Sequence, residues 1–246
     1  MRKNISLSYG ADELYCELPV GAAGIRAGIS LARAGDMDLA KKRNFPARAR
    51  MLSAIGLAPE RVFALRQVHS RRIVLVDSQD AESLESVEAD GIITARRDAV
   101  LTVTVADCLP IYILDPSSGA FGLVHSGWMG TGIVLEAISL MAVRFGARPR
   151  DLCVTIGPGI GPCCYRVPEE RCRMFSAAYG ESAVARTSEG DCSLDLRGAN
   201  VALLEGAGVE DIAVVGDCTC CSRALGSFRR EGPERFTRML AYMGRR

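Results

Sequence analysis

The sequence has little histidine, no excess of charge of either sign and no long apolar run. Its 246 residues include two histidines, and 30 basic residues nearly balance 29 acidic ones. This balance argues against the basic surface with which proteins bind nucleic acid or an anionic membrane. No uncharged apolar run reaches the roughly 18 residues that indicate a membrane span. The first residues also lack the apolar core of a secretory signal, so we expect a cytoplasmic protein.

Cysteine, in contrast, is abundant, with ten residues. In a small secreted domain this number predicts disulfides, but in a larger apolar chain without an export signal it favours reduced thiols. Cys218-x-x-Cys221 has a spacing that suits a metal or a redox pair. Because no second Cys-x-x-Cys and no nearby histidine complete such a site, packing near the core is the favoured interpretation.

Runs rich in Val, Ile and Thr predict a block of strands that precedes most of the helices, which favours an α+β fold in a single domain over 1–246. The expected strands cover 61–68, 71–77, 91–95, 99–106, 110–115, 119–125, 152–156 and 211–215. Apolar residues at helical spacing predict helices over 131–145, 168–179 and 196–207.

Both histidines and one cysteine lie where a strand-like run gives way to a loop. His69 closes one run, Cys108 a second, and His125 a third. Side chains at strand ends can converge while the sheet holds their backbones in place. Two imidazoles and one thiolate suffice to bind a catalytic zinc with one position left open for water. The spacing alone is not specific, since each residue taken singly is an ordinary core or surface residue.

A glycine-rich loop, 126–132, follows His125 and leads into the predicted helix over 131–145. Glycines such as Gly130 let a backbone approach a ligand closely. Free N–H groups at a helix start favour an anion such as phosphate. The alternative is a tight strand-to-helix turn in which Trp128 is a packing residue, and the sequence leaves both open.

Six short motifs, in order along the chain, resemble the bacterial purine nucleoside phosphorylase family formerly described as laccase-domain or polyphenol oxidase proteins. They are QVH at 67–69, ADG at 89–91, ADCLPI at 106–111, HSGW at 125–128, GPGIGPCCYRV at 157–167 and GSFRREG at 226–232. The resemblance implies mixed sheets covered by helices and a zinc ion bound by His69, Cys108 and His125. It also implies phosphorolysis of adenosine, inosine and methylthioadenosine, together with adenosine deamination. Purine nucleoside and phosphate are therefore the expected partners.

The chain departs from the family pattern in places that bear on phosphate handling and substrate preference. The family usually reads HAGWRG, and Met129 stands at the arginine position. Arg33 keeps the place of an early arginine, but Asp36 replaces a glycine that follows it. A closing glycine-arginine appears as Thr237-Arg238. The three expected zinc ligands are intact.

The two implied reactions need different groups. Deamination needs an acidified water, and zinc lowers the pKa of bound water to about 7. A carboxylate usually shuttles the proton beside the metal. Asp90 and Asp107 are the candidates, although Asp107 suits a loop-orienting role equally well. Phosphorolysis needs cations for phosphate, and arginine binds phosphate in bidentate geometry. Arg33, Arg229 and Arg230 are the candidates.

Three other interpretations use the same residues. Cys108 can be the nucleophile of a metal-free hydrolase with one of the histidines as base. A copper polyphenol oxidase is disfavoured, because a multicopper site needs many more imidazoles than two. The third interpretation is a non-catalytic family member that binds zinc but has lost activity through the change at Met129. The sequence fixes neither the preferred nucleoside nor the oligomeric state.

Overall fold

The computed structural model describes residues 2–21, 24–38, 45–186 and 191–245. These residues form three β-sheets and six α-helices. The strands are β1 Arg2–Ile5, β2 Tyr15–Leu18, β3 Ile25–Ser30, β4 Val62–Phe63, β5 Ile73–Val76, β6 Gly91–Thr94, β7 Val100–Val105, β8 Leu109–Leu114, β9 Phe121–Ser126, β10 Cys153–Ile156, β11 Arg166–Val167, β12 Val184–Arg186, β13 Cys192–Leu194, β14 Asp211–Val215 and β15 Met239–Arg245. The helices are α1 Phe45–Ile55, α2 Ala81–Leu84, α3 Ile133–Phe145, α4 Glu169–Tyr179, α5 Leu196–Gly206 and α6 Phe228–Glu231.

The largest sheet has seven strands in the order β1-β14-β10-β8-β9-β6-β5. It is mixed, because β1, β14 and β10 run parallel while β10, β8, β9 and β6 pair antiparallel. A second sheet has the order β2-β3-β15-β7-β4, and a small third sheet has the order β11-β13-β12. The α+β prediction, with mixed sheets covered by helices, is therefore confirmed.

The seven-stranded sheet is the middle layer, and this explains why its central strands are apolar throughout. Every residue of β8 and β9 is buried. Successive strand side chains point to opposite faces. Leu109, Ile111 and Ile113 of β8 pack with helices α3, α4 and α5. Tyr112 and Leu114 pack instead against the five-stranded sheet. A strand covered on both faces reads as a continuous apolar run, as β8 does.

The predicted strand over 61–68 is shorter than expected, since β4 covers only Val62–Phe63. After Phe63 the side chain of Gln67 takes over the pairing with β7. Its amide nitrogen donates to the carbonyl of Thr104 at 2.9 Å, and its amide oxygen accepts from the Thr104 N–H at 2.7 Å. A side chain thus occupies the backbone groups that a longer strand would have used, which releases the chain into the loop that contains His69.

Cys172 of α4 and Cys192 of β13 form a disulfide between two buried positions. The prediction that all the cysteines are reduced is wrong for this pair. Helix α4 packs on β13 and so brings together two residues that are 20 apart in sequence. Eight cysteines remain free.

No helix among the described residues is long and apolar enough to cross a membrane.

Candidate metal centre and substrate site

His69, Cys108 and His125 meet beyond the ends of β8 and β9. The ligand atoms of the three side chains lie within 4.8 Å of one another. The two imidazole rings make an edge-to-face contact with centroids 4.9 Å apart. Cys108 immediately precedes β8, and Pro110 of β8 pairs with His125 of β9. This antiparallel register places thiol and imidazole side by side, and the loop between β4 and β5 adds His69.

Exposure increases across the trio. His125 is buried, Cys108 is half-buried and His69 is exposed. The group therefore opens to solvent on the His69 side. Two cavities, of about 230 and 380 Å³, lie elsewhere and share no lining residue with the trio.

Asp90 is a buried carboxylate that holds both histidines in place. It accepts hydrogen bonds from the backbone N–H groups of Val68, His69 and Ser70 at 3.2, 3.0 and 2.6 Å, and from the Ser70 hydroxyl at 2.8 Å. Its Oδ1 lies 2.9 Å from Nδ1 of His125. Burial alone would raise the pKa of Asp90, but the hydrogen bonds from His125 and Ser70 outweigh it and lower the pKa to about 2. These contacts favour positioning over proton shuttling for Asp90.

Asp107 fixes the loop on the other side of Cys108. Its backbone has a φ of 84°, in the left-handed region that non-glycine residues rarely adopt. Its carboxylate accepts from the Thr219 hydroxyl at 2.6 Å and from the Arg229 N–H at 2.7 Å. The carbonyl accepts from Ile160 N–H at 2.8 Å. The loop-orienting role, one of the two that the sequence left open, is the one that these contacts favour.

The glycine-rich loop packs directly against the trio. A Cβ atom on Gly127 would lie 2.7 Å from Sγ of Cys108 and 3.5 Å from Cδ2 of His69, so only glycine fits without displacement. A Cβ atom on Gly130 would lie 3.1 Å from the carbonyl oxygen of Ser70. Trp128 packs against the core at the same turn. Close approach to the trio thus explains these two glycines.

The charges of the trio suit a metal ligand set. Burial would raise the pKa of Cys108, but the charge and hydrogen bond of His125 and the hydrogen bond of His69 lower it to about 6. Burial would lower the pKa of His125, yet the Cys108 charge and the Asp90 hydrogen bond raise it to about 9. A thiolate is the form of cysteine that binds metal. Because Asp90 occupies Nδ1 of His125, Nε2 is left for the metal, a common arrangement of metal-binding histidines. A thiolate with two imidazoles favours zinc over oxygen-preferring ions such as magnesium.

The arginines expected to bind phosphate differ in how their guanidinium groups are used. Arg230 donates to the carbonyls of Thr219, Cys220, Ser222 and Leu225 and to the carboxylate of Glu231. Since protein acceptors occupy its donors, the structure gives no support to Arg230 as a phosphate ligand. Arg33 is exposed in a short 3₁₀ turn after β3.

Arg229 is connected to the surroundings of the trio by its contact with the Tyr165 ring and by its backbone hydrogen bond to Asp107. Burial and the charge of Cys108 raise the pKa of Tyr165 to about 12, while the charges of Arg171 and Arg229 oppose this increase. Tyr165 is thus within electrostatic range of the Cys108 thiol and of both guanidinium groups. The Arg229 guanidinium stands 5.4 Å from the Tyr165 ring and donates to the carbonyl of Arg166 at 3.0 Å.

Arg171 is a site cation that sequence reasoning missed. It belongs to α4, and its guanidinium lies over the Trp128 ring at 4.5 Å from the centroid. Trp128 precedes Met129, the position where the family pattern has arginine. No local motif around Arg171 indicates this placement, because it depends on how α4 packs beside the glycine-rich loop.

Three exposed apolar side chains are sequence neighbours of residues at the site. Val68 precedes His69, Met129 follows Trp128 and Phe228 precedes Arg229, and these three side chains are 41%, 52% and 46% exposed. Phe228 also makes an edge-to-face contact with Phe236, with centroids 5.0 Å apart.

Residues 32–246 match the family described as multi-copper polyphenol oxidoreductase laccase. The chain belongs to this family. The family's description mentions several copper ions, but this member has two histidines in its entire sequence, and both are in the one trio. That donor set is too small for a multicopper centre.

Relatives of this laccase-like chain have names that refer to nucleoside chemistry. A protein of Deinococcus radiodurans named purine nucleoside phosphorylase is 37% identical over 225 residues, which cover 91% of this chain and 84% of the relative. The crystal structure of YlmD from Geobacillus stearothermophilus has a TM-score of 0.88 at 32% identity and covers 98% of both chains. The structure of YfiH from Bacillus licheniformis has a TM-score of 0.86 at 26% identity, covering 96% of this chain and 98% of the other.

Proposed function

We propose that this chain is a zinc-dependent purine nucleoside phosphorylase that acts on adenosine, inosine and methylthioadenosine and also deaminates adenosine. The convergence of His69, Cys108 and His125 at an open face is the observation that carries the proposal. The names of the relatives support phosphorolysis as its chemistry. A zinc ion held by these three residues would supply a Lewis acid at this site.

The surroundings of the trio suit the two parts of a nucleoside substrate. Val68, Met129 and Phe228 offer apolar surface to a purine base, and aromatic side chains can stack on it. Arg171 and Arg229 offer positive charge for phosphate, because guanidinium groups match phosphate oxygens in geometry. We therefore place the base against the apolar side chains and phosphate on the side of the arginines.

In phosphorolysis a phosphate oxygen forms a bond to C1′ of the ribose while the bond from C1′ to N9 of the purine breaks. The electron pair of the broken bond goes to the base, which takes up a proton. Positive charge develops on the sugar in between. The two arginines hold the phosphate on the face opposite the leaving base, and Asp90 keeps the histidines in a fixed geometry.

A nucleoside panel with and without phosphate tests the proposal, with product bases separated by chromatography. We expect phosphate-dependent release of adenine from adenosine and methylthioadenosine and of hypoxanthine from inosine, together with inosine formed from adenosine. A folded, zinc-loaded protein that turns over none of these nucleosides would show a non-catalytic member and overturn the proposal.

Dependence of activity on metal distinguishes the proposed zinc enzyme from a metal-free Cys108 hydrolase. A Cys108 hydrolase keeps its activity after chelation, because its nucleophile and base need no metal. The proposed enzyme loses activity on chelation and regains it with added zinc. Cys108→Ala should lose the zinc of this site, whereas Cys16→Ala, at a buried free cysteine of β2, should keep it.

A further inference from the structure

Four other cysteine sulfur atoms converge in a second group that shares no residue with the trio. They belong to Cys163, Cys164, Cys218 and Cys221, and all lie within 4.8 Å of one another. The fold explains the convergence. Strands β10 and β14 are parallel neighbours, so the loops that follow them leave the same end of the sheet. A parallel bridge between Gly159 and Cys218 continues the pairing up to the cluster.

The separations fit the edges of a metal–thiolate tetrahedron. Sγ of Cys221 lies 3.7 Å from Sγ of Cys163 and 3.4 Å from Sγ of Cys164. A tetrahedral zinc with Zn–S bonds of about 2.3 Å needs sulfur atoms about 3.8 Å apart. Sulfur atoms joined in a disulfide are only about 2.05 Å apart. The four thiols are therefore grouped without being bonded to each other.

We propose that Cys163, Cys164, Cys218 and Cys221 bind a second zinc ion in a closed, four-thiolate site. The sequence shows one half of this site, the Cys218-x-x-Cys221 spacing. The fold supplies the other half from a loop in which Cys164 lies 57 residues before Cys221. Four thiolates and no open position are typical of a structural zinc site rather than a catalytic one.

A backbone donor and an arginine side chain lie beside the four sulfur atoms. The N–H of Gly161 donates to Sγ of Cys218 at 3.2 Å. A Cβ atom on Gly161 would lie 3.2 Å from Sγ of Cys163 and 3.4 Å from the guanidinium of Arg197. A cation thus lies close to the thiolates, and its buried Nε has no hydrogen-bond partner among the described residues.

The second zinc would stabilise one wall of the first site. Thr219, inside the Cys218–Cys221 turn, donates its hydroxyl to Asp107 beside Cys108. Tyr165 directly follows Cys164, and its ring lies 5.4 Å from the Arg229 guanidinium. Crosslinking the two loops through a metal fixes both of these residues. The proposal does not depend on which reaction the first site catalyses.

Zinc content of protein purified with reductant and without chelator tests the site. We expect about two zinc ions per wild-type chain, because each site binds one. Cys163→Ser and Cys221→Ser, both at exposed positions, should each reduce the content to about one, as should Cys108→Ala. Cys220→Ser is the matched control, because it lies in the same turn but outside the four, and it should keep both ions.

Cobalt substitution identifies which site each ion occupies. Cobalt in a four-thiolate tetrahedron absorbs visible light strongly, and this signal should survive in Cys108→Ala and disappear in Cys221→Ser. Equal zinc content in Cys163→Ser, Cys221→Ser and Cys220→Ser would overturn the proposal. So would a disulfide between Cys221 and either Cys163 or Cys164 in protein prepared anaerobically with reductant. Loss of nucleoside turnover without a change in metal content would concern only the first site.

Discussion

Oδ1 of the buried Asp90 lies 2.9 Å from Nδ1 of His125, and the same carboxylate accepts the backbone N–H of His69. One side chain therefore sets the ring orientation of a histidine in β9 and the backbone of a histidine in a distant loop. His69 itself has a φ of 60°, a conformation that non-glycine residues adopt only when their surroundings hold them there.

Asp90→Asn should weaken zinc binding at the first site by about 10- to 100-fold, the usual effect of losing a partner that orients a metal-binding histidine. Competition with a chromophoric chelator measures the change. Asp115→Asn is the matched control, because Asp115 is also buried and accepts backbone and hydroxyl hydrogen bonds, but in the β8–β9 turn. Equal zinc affinity in both variants would show that Asp90 only stabilises the fold.

Met129→Arg should improve phosphorolysis relative to deamination. Met129 offers phosphate neither charge nor donor, and a charge-assisted hydrogen bond contributes roughly 1.5–3 kcal/mol, or about ten- to a hundredfold in the KM for phosphate. Attack of water on the purine needs no phosphate and should change less. Steady-state assays of both reactions measure the ratio, with Met129→Leu as the uncharged control. An unchanged ratio in folded, zinc-loaded protein would place the role of the arginine elsewhere.

Arg171→Gln should raise the KM for phosphate while leaving zinc content unchanged, since Arg171 lies over Trp128 and is not one of the three proposed zinc ligands. We expect about a tenfold effect, the lower end for a hydrogen bond to a charged group. Arg173→Gln, at an exposed position on the same helix, is the control. If both variants bind phosphate like the wild type, Arg229 becomes the leading candidate.

Thiol titration of the unfolded protein in chelator, without reductant, should count eight cysteines, because Cys172 and Cys192 form a disulfide. Reduction should raise the count to ten.

Closing a loop of 20 residues stabilises a fold by about 3 kcal/mol, so Cys172→Ser should lower the free energy of unfolding by that order. Cys153→Ser, at a free cysteine of β10, is the control. Ten thiols counted before reduction would contradict the disulfide.

The sequence predicts the middle of this fold well, because strands covered on both faces have an unmistakable composition. The predicted ranges for β6 to β10 agree with the structure to within about two residues, the usual uncertainty of element ends. The predicted strand 61–68 fails after Phe63 because the Gln67 side chain substitutes for backbone pairing, and composition does not encode that exchange. The sequence does not predict strands β1 to β3, β11 to β13 and β15, whose places in the sheets depend on long-range pairing.

The same division applies to the sites. Strand ends mark His69, Cys108 and His125, so their convergence could be expected from the sequence. Arg171 and the Cys163–Cys164 pair could not, since each reaches its place through helix packing or the parallel pairing of β10 with β14. The motif that contains Arg230 likewise does not indicate that protein acceptors bind its guanidinium group.

The hairpin of β8 and β9 also has a consequence for how the protein reaches its native state. Cys108 and His125 flank one hairpin with a short turn, so their approach closes only a small loop and should come early in folding. His69 reaches the other two residues only when the backbone N–H groups of its loop bind the Asp90 carboxylate. A nascent chain would then offer zinc two ligands first and the third last, so that metal uptake and the final folding step are coupled. Refolding in zinc should be faster than refolding in chelator, with the difference confined to the slowest phase.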